Sequence, residues 1–370
     1  MDDVGPGRKR NREIPEAHRT SILRRGGFPT SVVVGESLLH RISSFTEREE
    51  IPFIVADEIT GPLFADFLEH KSHVFALPGG EDGKSLAAIG KIYTALAEAG
   101  IDRRGTILAL GGGVVGDTAG FAAATWMRGI RLIHCPTTLL AQVDSSVGGK
   151  TGINLEKGKN LVGAFHPAEW VFSDVECLRS QTETDFRQGL AEAVKYGFGE
   201  DWSFFRWIEE NVLPIVRRSL PVLRQLVSEC ARMKLEVVSK DEHEQSGIRA
   251  RLNLGHTVGH ALEAASGYRW RHGDGVAAGM MVSGRLALQL GELSRDDFSR
   301  LERLLTALRI PFRPDLPWDE LVPFLALDKK FSRGAPRLVI PRTGGPCRLR
   351  DDITLEKLRG AYEEERLRRG

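Results

Sequence analysis

The chain has 370 residues, of which 41% are hydrophobic and 27% charged, and its formal net charge is +1. This length fits two globular domains, and the composition excludes a disordered or fibrous protein. The near-neutral charge argues against binding of nucleic acid or of an anionic membrane through the whole surface, and no apolar stretch reaches the roughly 20 residues that span a bilayer. Four scattered cysteines without a CxxC pair, and no leading apolar segment, predict a cytoplasmic protein.

Residues 1–25 are the first predicted unit, a mobile N-terminal extension. They contain a basic cluster at residues 8–12 and few apolar side chains. A nucleic-acid patch would explain the cluster, but a solvated terminal segment is the better interpretation, because little in this stretch can be buried.

Residues 26–178 alternate between strand and helix patterns, with a helical spacing over residues 85–100. The predicted strands cover residues 31–34, 51–55, 106–110, 131–136 and 170–174. Such alternation is typical of a parallel α/β layer, so we expect a Rossmann-like nucleotide-binding domain.

Residues 179–370 have helical periods nearly throughout. The predicted helices cover residues 183–196, 202–210, 221–238, 256–266 and 275–290. We therefore expect an all-helical second domain, with a change of architecture near residue 178 rather than a flexible linker.

Two glycine-rich loops in the first domain predict a nucleotide site. Residues 111–117 (GGGVVGD) join a strand to a helix of small residues, where backbone N–H groups and the helix dipole favour a pyrophosphate. An ordinary tight turn would leave the same pattern, and the spacing departs from GxGxxG. Residues 79–84 (GGEDGK) offer Glu81 and Lys84 to ribose hydroxyls and phosphate, or form an ordinary capped loop. Two such loops in one layer favour a nucleotide.

Residues 136–154 gather hydroxyl groups and glycines around Asp144 and Lys150, and further polar side chains follow at Lys159 and Asn160. Arg128 precedes them. Converging Lys, Arg and Asn groups suit an anionic, oxygen-rich small molecule such as a phosphorylated sugar acid. The glycine pair at 148–149 argues against a merely solvated basic loop.

A possible metal site lies in the second domain. His256 and His260 are four residues apart and share one face of a predicted helix, and His272 follows. Glu192 lies among apolar residues of another helix. Three nitrogen and oxygen ligands with an open position describe a catalytic zinc site. Spacing alone leaves open whether His260 or His272 joins His256, and Glu192 could instead form a buried salt bridge with Lys195.

Together these motifs resemble the 3-dehydroquinate synthase family, a branch of the sugar-phosphate cyclases, over about residues 50–345. The matching stretches are GGGVVGD at 111–117, PTTLLAQVDSSVGGKTGIN at 136–154, GKN at 158–160, LAEAVKYG at 190–197 and LNLGHTVGHALE at 252–263. The resemblance implies a lyase of the shikimate pathway that converts 3-deoxy-D-arabino-heptulosonate 7-phosphate to 3-dehydroquinate and phosphate. Transient oxidation by NAD, phosphate elimination, re-reduction and aldol closure would make up the reaction. It also implies zinc, with Co²⁺ as a possible substitute, and a homodimer.

The resemblance implies the following residue roles. Zinc ligands are Glu192, His256 and His272, which leaves His260 to the substrate. Catalytic positions are Asp144, Lys150, Lys195, Lys234, Arg249, Asn253 and His260. Further substrate contacts are Arg128, donated across the dimer, Asn160, and one or both of Lys329 and Lys330. NAD positions are Gly79, Gly80, Glu81, Asp82, Gly83, Lys84, Gly113, Val114, Val115, Gly116, Asp117, Thr137, Thr138, Lys150, Lys159, Cys177, Leu178, Arg179 and Ser180.

Other cyclases, such as 2-deoxy-scyllo-inosose synthase, act on sugar phosphates that lack a carboxylate. Arg249 and Lys234 form the cationic pair that a carboxylate requires, so they favour the dehydroquinate reaction. A glycerol-type dehydrogenase would share the two-domain layout but would have no use for the lysine-rich pocket. Residues 241–247 are one residue longer than the family pattern, which leaves Glu244 as a candidate acidic pocket residue.

Overall fold

A computed structural model describes residues 21–25, 28–46, 52–68, 74–156, 158–327, 331–332 and 335–368. The strands in these ranges are β1 Ser21–Leu23, β2 Ser31–Gly35, β3 Phe53–Asp57, β4 Val74–Leu77, β5 Thr106–Gly111, β6 Arg131–Pro136, β7 Lys150–Leu155, β8 Gly158–Phe165, β9 Trp170–Asp174, β10 Phe331–Ser332, β11 Ala335–Pro336, β12 Leu338–Arg342 and β13 Gly345–Arg350. The helices are α1 Ile42–Thr46, α2 Thr60–Phe64, α3 Leu86–Glu98, α4 Gly113–Thr125, α5 Glu183–Gly199, α6 Trp202–Glu210, α7 Val212–Val216, α8 Leu220–Val238, α9 His256–Ala265, α10 His272–Gln289, α11 Arg295–Ala307, α12 Trp318–Leu327 and α13 Leu355–Leu367.

A seven-stranded sheet forms the first half, in the order β1-β2-β9-β6-β5-β3-β4. Its strands run parallel except for β1, which pairs antiparallel to β2. Every residue of the central strand β5 is buried, as expected for a parallel strand that is covered on both faces. Gly111 pairs with Pro136, so the glycine turn and residues 137–154 leave the sheet at the same carboxyl edge. Ligands bind at this edge in open α/β sheets.

The second half is dominated by helices, and the predicted α/β plus helical architecture is confirmed. Helix α10 is central to it and packs against α5, α9, α11 and α13. Strand β9 ends at Asp174 and α5 begins at Glu183, so the predicted boundary at residue 178 falls between them. The division of the chain into two domains stays a prediction. In the described part of the chain, no helix has the length and apolar content needed to cross a bilayer.

The structure departs from the sequence-based expectations in two places. At the end of the extension predicted over residues 1–25, Ser21–Leu23 forms a strand whose Ile22 pairs with Val33. An edge strand is held by its backbone ladder and needs little apolar sequence. Residues 1–20 lie outside the described residues. In the helical half, the strands β10 to β13 form two short antiparallel hairpins that helical periods did not reveal.

The polar segment after residue 149 is a β-hairpin of β7 and β8, not an irregular loop. Gly152 faces Gly163 across the pair. A Cβ on Gly152 would meet the carbonyl oxygen of Val162 at 2.7 Å, so the two backbones approach too closely for any side chain there. The hairpin presents Lys150 at its base, and Asn154, Lys159 and Asn160 near its turn.

Candidate active site

Glu192, His256 and His272 form a group of potential metal ligands, with one ligand atom of each lying within 4.8 Å of the others. Oε1 of Glu192 is 3.6 Å from Nε2 of His256 and 3.1 Å from Nε2 of His272. A tetrahedral zinc site with ligand bonds of about 2.0–2.1 Å places its ligand atoms about 3.3 Å apart. The donor set and spacing therefore fit zinc, with a fourth position open to substrate. Three helices, α5, α9 and α10, bring the ligands together.

The ring nitrogens that face away from this group have acceptors of their own. Nδ1 of His256 donates to the carbonyl of Leu254 at 3.1 Å, and Nδ1 of His272 lies 3.3 Å from Oε2 of Glu263. Such contacts fix the tautomer in which Nε2 carries the lone pair that a metal can bind. Burial would lower the pKa of His272, but Glu192 and Glu263 raise it to about 10. The site thus favours a positive charge at this position.

Glu192 forms the buried salt bridge with Lys195 and also belongs to the possible metal group, so the contacts fit both alternatives that the sequence left open. Its side chain is fully buried, with Oε1 facing the histidines and Oε2 in an ion pair with Nζ of Lys195. Burial alone would raise the pKa of Glu192, yet the charge of Lys195 holds it below its ordinary value. Burial likewise opposes the charge of Lys195, and Glu192 with Asp144 raises its pKa. Lys195 is therefore a fixed cation next to the metal group.

His260 lies on the open side of the same group. Its ring centroid is 5.2 Å from that of His256 and 5.9 Å from that of His272. It is exposed, whereas His256 is buried. A second group of possible ligand atoms joins His260 with Glu263 and His272. The predicted substrate role of His260 stays a prediction.

Asp144 is the acceptor at the centre of a second cluster. Its Oδ1 accepts a hydrogen bond from Nζ of Lys234 at 2.9 Å and from the hydroxyl of Tyr196 at 2.7 Å. Burial would raise the pKa of Asp144, but Lys234 and Lys195 hold it well below its ordinary value. Burial lowers the pKa of Lys234 to about 8, and the charge of Arg249 lowers it as well. Tyr196 was not predicted as a site residue, although its place directly after Lys195 on α5 was the available signal.

Arg249 is buried and reaches back to the glycine pair. Its Nη2 donates to the carbonyl of Gly148 at 2.9 Å, and its Nη1 donates to the carbonyl of Glu242 at 2.7 Å. Gly148 has φ +109°, and a Cβ there would lie 2.6 Å from Nη2 of Arg249. Glycine at position 148 is therefore needed both for the backbone conformation and for the guanidinium.

Glu244 joins two further predicted residues, Lys150 and Asn253, through its carboxylate. Oε2 of Glu244 accepts from Nζ of Lys150 at 2.5 Å, and Oε1 accepts from Nδ2 of Asn253 at 3.4 Å. Glu244 has φ +56°, so the longer segment over residues 241–247 turns sharply there. Its contacts support the assignment of Glu244 as the acidic pocket residue.

The glycine turn leaves the N-terminus of α4 available to an anion. Gly112 is the N-cap residue and no side chain caps the helix. A Cβ on Gly113 would lie 3.2 Å from Oγ of Ser145, so the turn packs closely on the segment that carries Asp144. Beside it, Oγ1 of Thr137 is buried and has no hydrogen-bond partner. Because a buried hydroxyl is normally paired, Thr137 suits a cofactor contact.

The second predicted loop lies next to this turn. Nζ of Lys84 pairs with Oδ2 of Asp117 at 2.5 Å, and Oγ1 of Thr118 donates to the carbonyl of Gly83 at 3.2 Å. Glu81 accepts from Nδ2 of Asn154 at 2.5 Å and pairs with Nζ of Lys159 at 3.3 Å. The two loops and the hairpin thus form one continuous polar surface. Burial raises the pKa of Asp117 despite its pairing with Lys84.

Other predicted residues are not brought into these clusters by the contacts observed. Cys177 and Leu178 are buried in the core, and the carbonyls of Leu178 and Arg179 accept from Arg218. Arg128 is exposed on a turn with φ +68°. The roles of these residues and of Ser180 stay predictions, and Lys329 and Lys330 lie outside the described residues.

A Rossmann-like sheet with an uncapped glycine turn, combined with a largely buried group of three possible metal ligands on helices, defines a class of metal- and nucleotide-dependent enzymes. The chain matches two family models, "3-dehydroquinate synthase N-terminal" over residues 74–188 and "3-dehydroquinate synthase C-terminal" over residues 189–331. It belongs to the 3-dehydroquinate synthase family.

Individual relatives agree with this assignment. The chain is 43% identical over 313 residues to the 3-dehydroquinate synthase of Colwellia psychrerythraea, an alignment that covers 82% of this chain and 88% of the relative. The 2-epi-5-epi-valiolone synthase of Streptomyces hygroscopicus, solved with NAD⁺ and Zn²⁺, has a TM-score of 0.83 at 25% identity and covers 94% of this chain and 99% of its own. A 2-deoxy-scyllo-inosose synthase, solved with carbaglucose-6-phosphate, NAD⁺ and Co²⁺, has a TM-score of 0.83 at 26% identity, with 93% and 99% covered.

Proposed function

We propose that this chain catalyses the conversion of 3-deoxy-D-arabino-heptulosonate 7-phosphate to 3-dehydroquinate and phosphate, the family's step in the shikimate pathway. The observation that carries the proposal is the metal group of Glu192, His256 and His272 beside the buried cations Lys195 and Lys234. We also propose that the protein acts in the cytoplasm.

The residues of the site fit two cofactors, zinc and NAD. Zinc would be held by Glu192, His256 and His272, and NAD by the turn at residues 113–117, by Thr137 and by the loop at 79–84. When bound, NAD supplies a reversible hydride acceptor, and zinc supplies a Lewis acid for a ring hydroxyl.

The chain's own residues supply fixed charge. Lys195 and Lys234 are buried and already held by Glu192 and Asp144, so they can stabilise negative charge on substrate oxygens without reorganising. Lys150 is half exposed at the base of the hairpin, where it suits a phosphate. The charge of Arg249 contributes to lowering the pKa of Lys234, so the two cations lie near each other, which supports their use as a pair for the substrate carboxylate.

We propose a homodimer in which Arg128 reaches the phosphate of the substrate that is bound to the partner subunit. The exposed, left-handed turn that carries Arg128 supports this role, because it presents the guanidinium away from the chain's own core. Mixing inactive Arg128→Ala and inactive Glu192→Ala proteins should restore part of the activity through mixed dimers. No recovery after demonstrated subunit exchange would count against the shared site.

The decisive experiment follows phosphate release from 3-deoxy-D-arabino-heptulosonate 7-phosphate with NAD⁺ and zinc present, while absorbance reports NADH. Phosphate release without accumulating NADH is expected, because the reaction has no net redox change. Lys234→Met should abolish phosphate release. Lys240→Met should not, because Lys240 is an exposed lysine that follows the end of the same helix. Release from an uncarboxylated sugar phosphate instead would indicate a sister cyclase, and NADH accumulating with a polyol would indicate a dehydrogenase.

A further inference from the structure

Glu263 contacts His272 on the side of the ring that faces away from the other ligands. Nδ1 of His272 is 3.3 Å from Oε2 of Glu263, while Nε2 is 3.1 Å from Oε1 of Glu192. We propose that Glu263 is a positioning residue, which orients His272 as the third zinc ligand and strengthens zinc binding. The inference rests on the zinc centre of the proposed function.

His272 needs such a contact more than His256 does. It is the first residue of α10, its side chain is 30% exposed, and Arg271 before it makes no side-chain cap. His256 is buried and is already fixed by the carbonyl of Leu254. A ring at the start of a helix, open to solvent on one side, can turn about its side-chain bonds unless its second nitrogen is held.

Glu263 is well placed to hold it. The carboxylate is largely buried, and it lies on α9 seven residues after His256, so about two helical turns put both side chains on the same face. The backbone carbonyl of Glu263 accepts from the amide of Tyr268 at 2.7 Å, which fixes the end of the helix. Helix α9 therefore contributes one zinc ligand directly and orients a second from the neighbouring helix.

An alternative use of Glu263 is as a ligand of a second ion, with His260 and His272. Binding there would require Nδ1 of His272 to lose its proton while Nε2 binds the first ion. A neutral imidazole offers a single lone pair to a metal, and its other nitrogen carries the proton. The observed contact with a carboxylate fits the protonated nitrogen, so the positioning role is the simpler account.

The test compares zinc affinity, measured by chelator competition on the full chain, for the parent, Glu263→Ala and Glu263→Gln. We expect about a 10–100-fold loss for alanine, the usual effect of removing such a carboxylate, and a smaller loss for glutamine, whose amide oxygen still accepts from Nδ1. The visible spectrum of the Co²⁺-loaded protein should shift in the alanine variant. The matched control is Glu365→Gln, a buried carboxylate that pairs with Arg285 about 20 Å along α10 from His272.

Unchanged zinc affinity in the alanine variant would overturn the proposal. So would a parent that binds two zinc ions per chain and a variant that binds one, because Glu263 would then be a ligand. If the alanine variant fails to fold, the near-isosteric glutamine variant takes its place. Zinc affinity equal to that of the parent would then overturn the proposal. Competition needs no substrate, so a parent that binds zinc tightly but turns over no sugar acid would contradict the proposed function and leave this inference standing.

Discussion

The hydroxyl of Tyr196 donates to Oδ1 of Asp144 across 2.7 Å, from the helix that also carries Glu192 and Lys195. Tyr196 is fully buried, and its proximity to Asp144 raises its pKa further than burial alone does, so the phenol stays protonated as a donor. One side of α5 thus links the metal group to the Asp144 cluster. This link makes Tyr196 the first residue to test.

Tyr196→Phe should remove one hydrogen bond to a buried carboxylate, at a cost of about 1.5–3 kcal/mol in the free energy of unfolding. The pKa of Asp144 is held well below its ordinary value in the folded protein, so the associated stability is present above the unfolded pKa and is lost as pH falls. Losing Tyr196 should raise that pKa and move the acid limb of kcat/KM to higher pH. Tyr93→Phe is the matched control, because its hydroxyl meets Thr125 at an exposed position. Equal effects of the two variants would contradict the role of Tyr196.

Gly148→Ala should lower kcat/KM by more than its effect on the free energy of unfolding accounts for. The new Cβ would lie 2.6 Å from Nη2 of Arg249, and the backbone at φ +109° is strained for alanine by about 1–3 kcal/mol. A displaced guanidinium should reduce kcat/KM for the sugar acid phosphate about tenfold or more. Gly344→Ala separates the two effects, since it has φ +68° and nothing within 4 Å of a new Cβ. Comparable losses of activity in both variants would show that Arg249 is not the cause.

The sequence was informative where a pattern is local and incomplete where contacts are distant. Buried parallel strands such as β5 are uninterrupted apolar runs, so they were predicted correctly. The contact of Arg249 with Gly148 joins residues 101 positions apart, which no spacing rule reveals. The geometry that groups His272 with His256 depends on how α10 packs against α9. The sequence did not predict the hairpin of β7 and β8, because β8 is partly exposed and contains two glycines, so it lacks the apolar run of a buried strand.

His134 should make the fold sensitive to acid. Burial, reinforced by the charge of His166, lowers its pKa from 6.5 to about 4, so it is neutral when folded and protonates more readily when unfolded. Its contribution to stability is complete above the unfolded pKa and is lost as pH falls from 6.5 to about 4. The full effect is about 3 kcal/mol. Urea unfolding across this range should show a flatter pH profile for His134→Phe than for the parent. Parallel profiles would show that other groups cause the acid sensitivity.

Thr137→Val should separate cofactor binding from folding. Oγ1 of Thr137 is buried without a hydrogen-bond partner next to the glycine turn. Replacing an unpaired buried hydroxyl with a methyl group of the same shape is close to neutral or stabilising for the cofactor-free protein. If the hydroxyl binds NAD⁺, the same change should weaken NAD⁺ binding about 2–10-fold, because one hydrogen bond contributes about 0.5–1.5 kcal/mol.

Thr30 provides the matched control for this substitution. Its Oγ1 is also buried and unpaired, and its side chain is 2% exposed, but it lies just before β2, away from the carboxyl edge of the sheet. Thr30→Val should therefore change stability in the same direction as Thr137→Val and leave the dissociation constant of NAD⁺ unchanged. Calorimetric titration with NAD⁺ and urea unfolding measure the two quantities independently. Weakened binding in both variants would mean that the loss reflects altered packing of the sheet, and unchanged binding in both would remove Thr137 from the cofactor site.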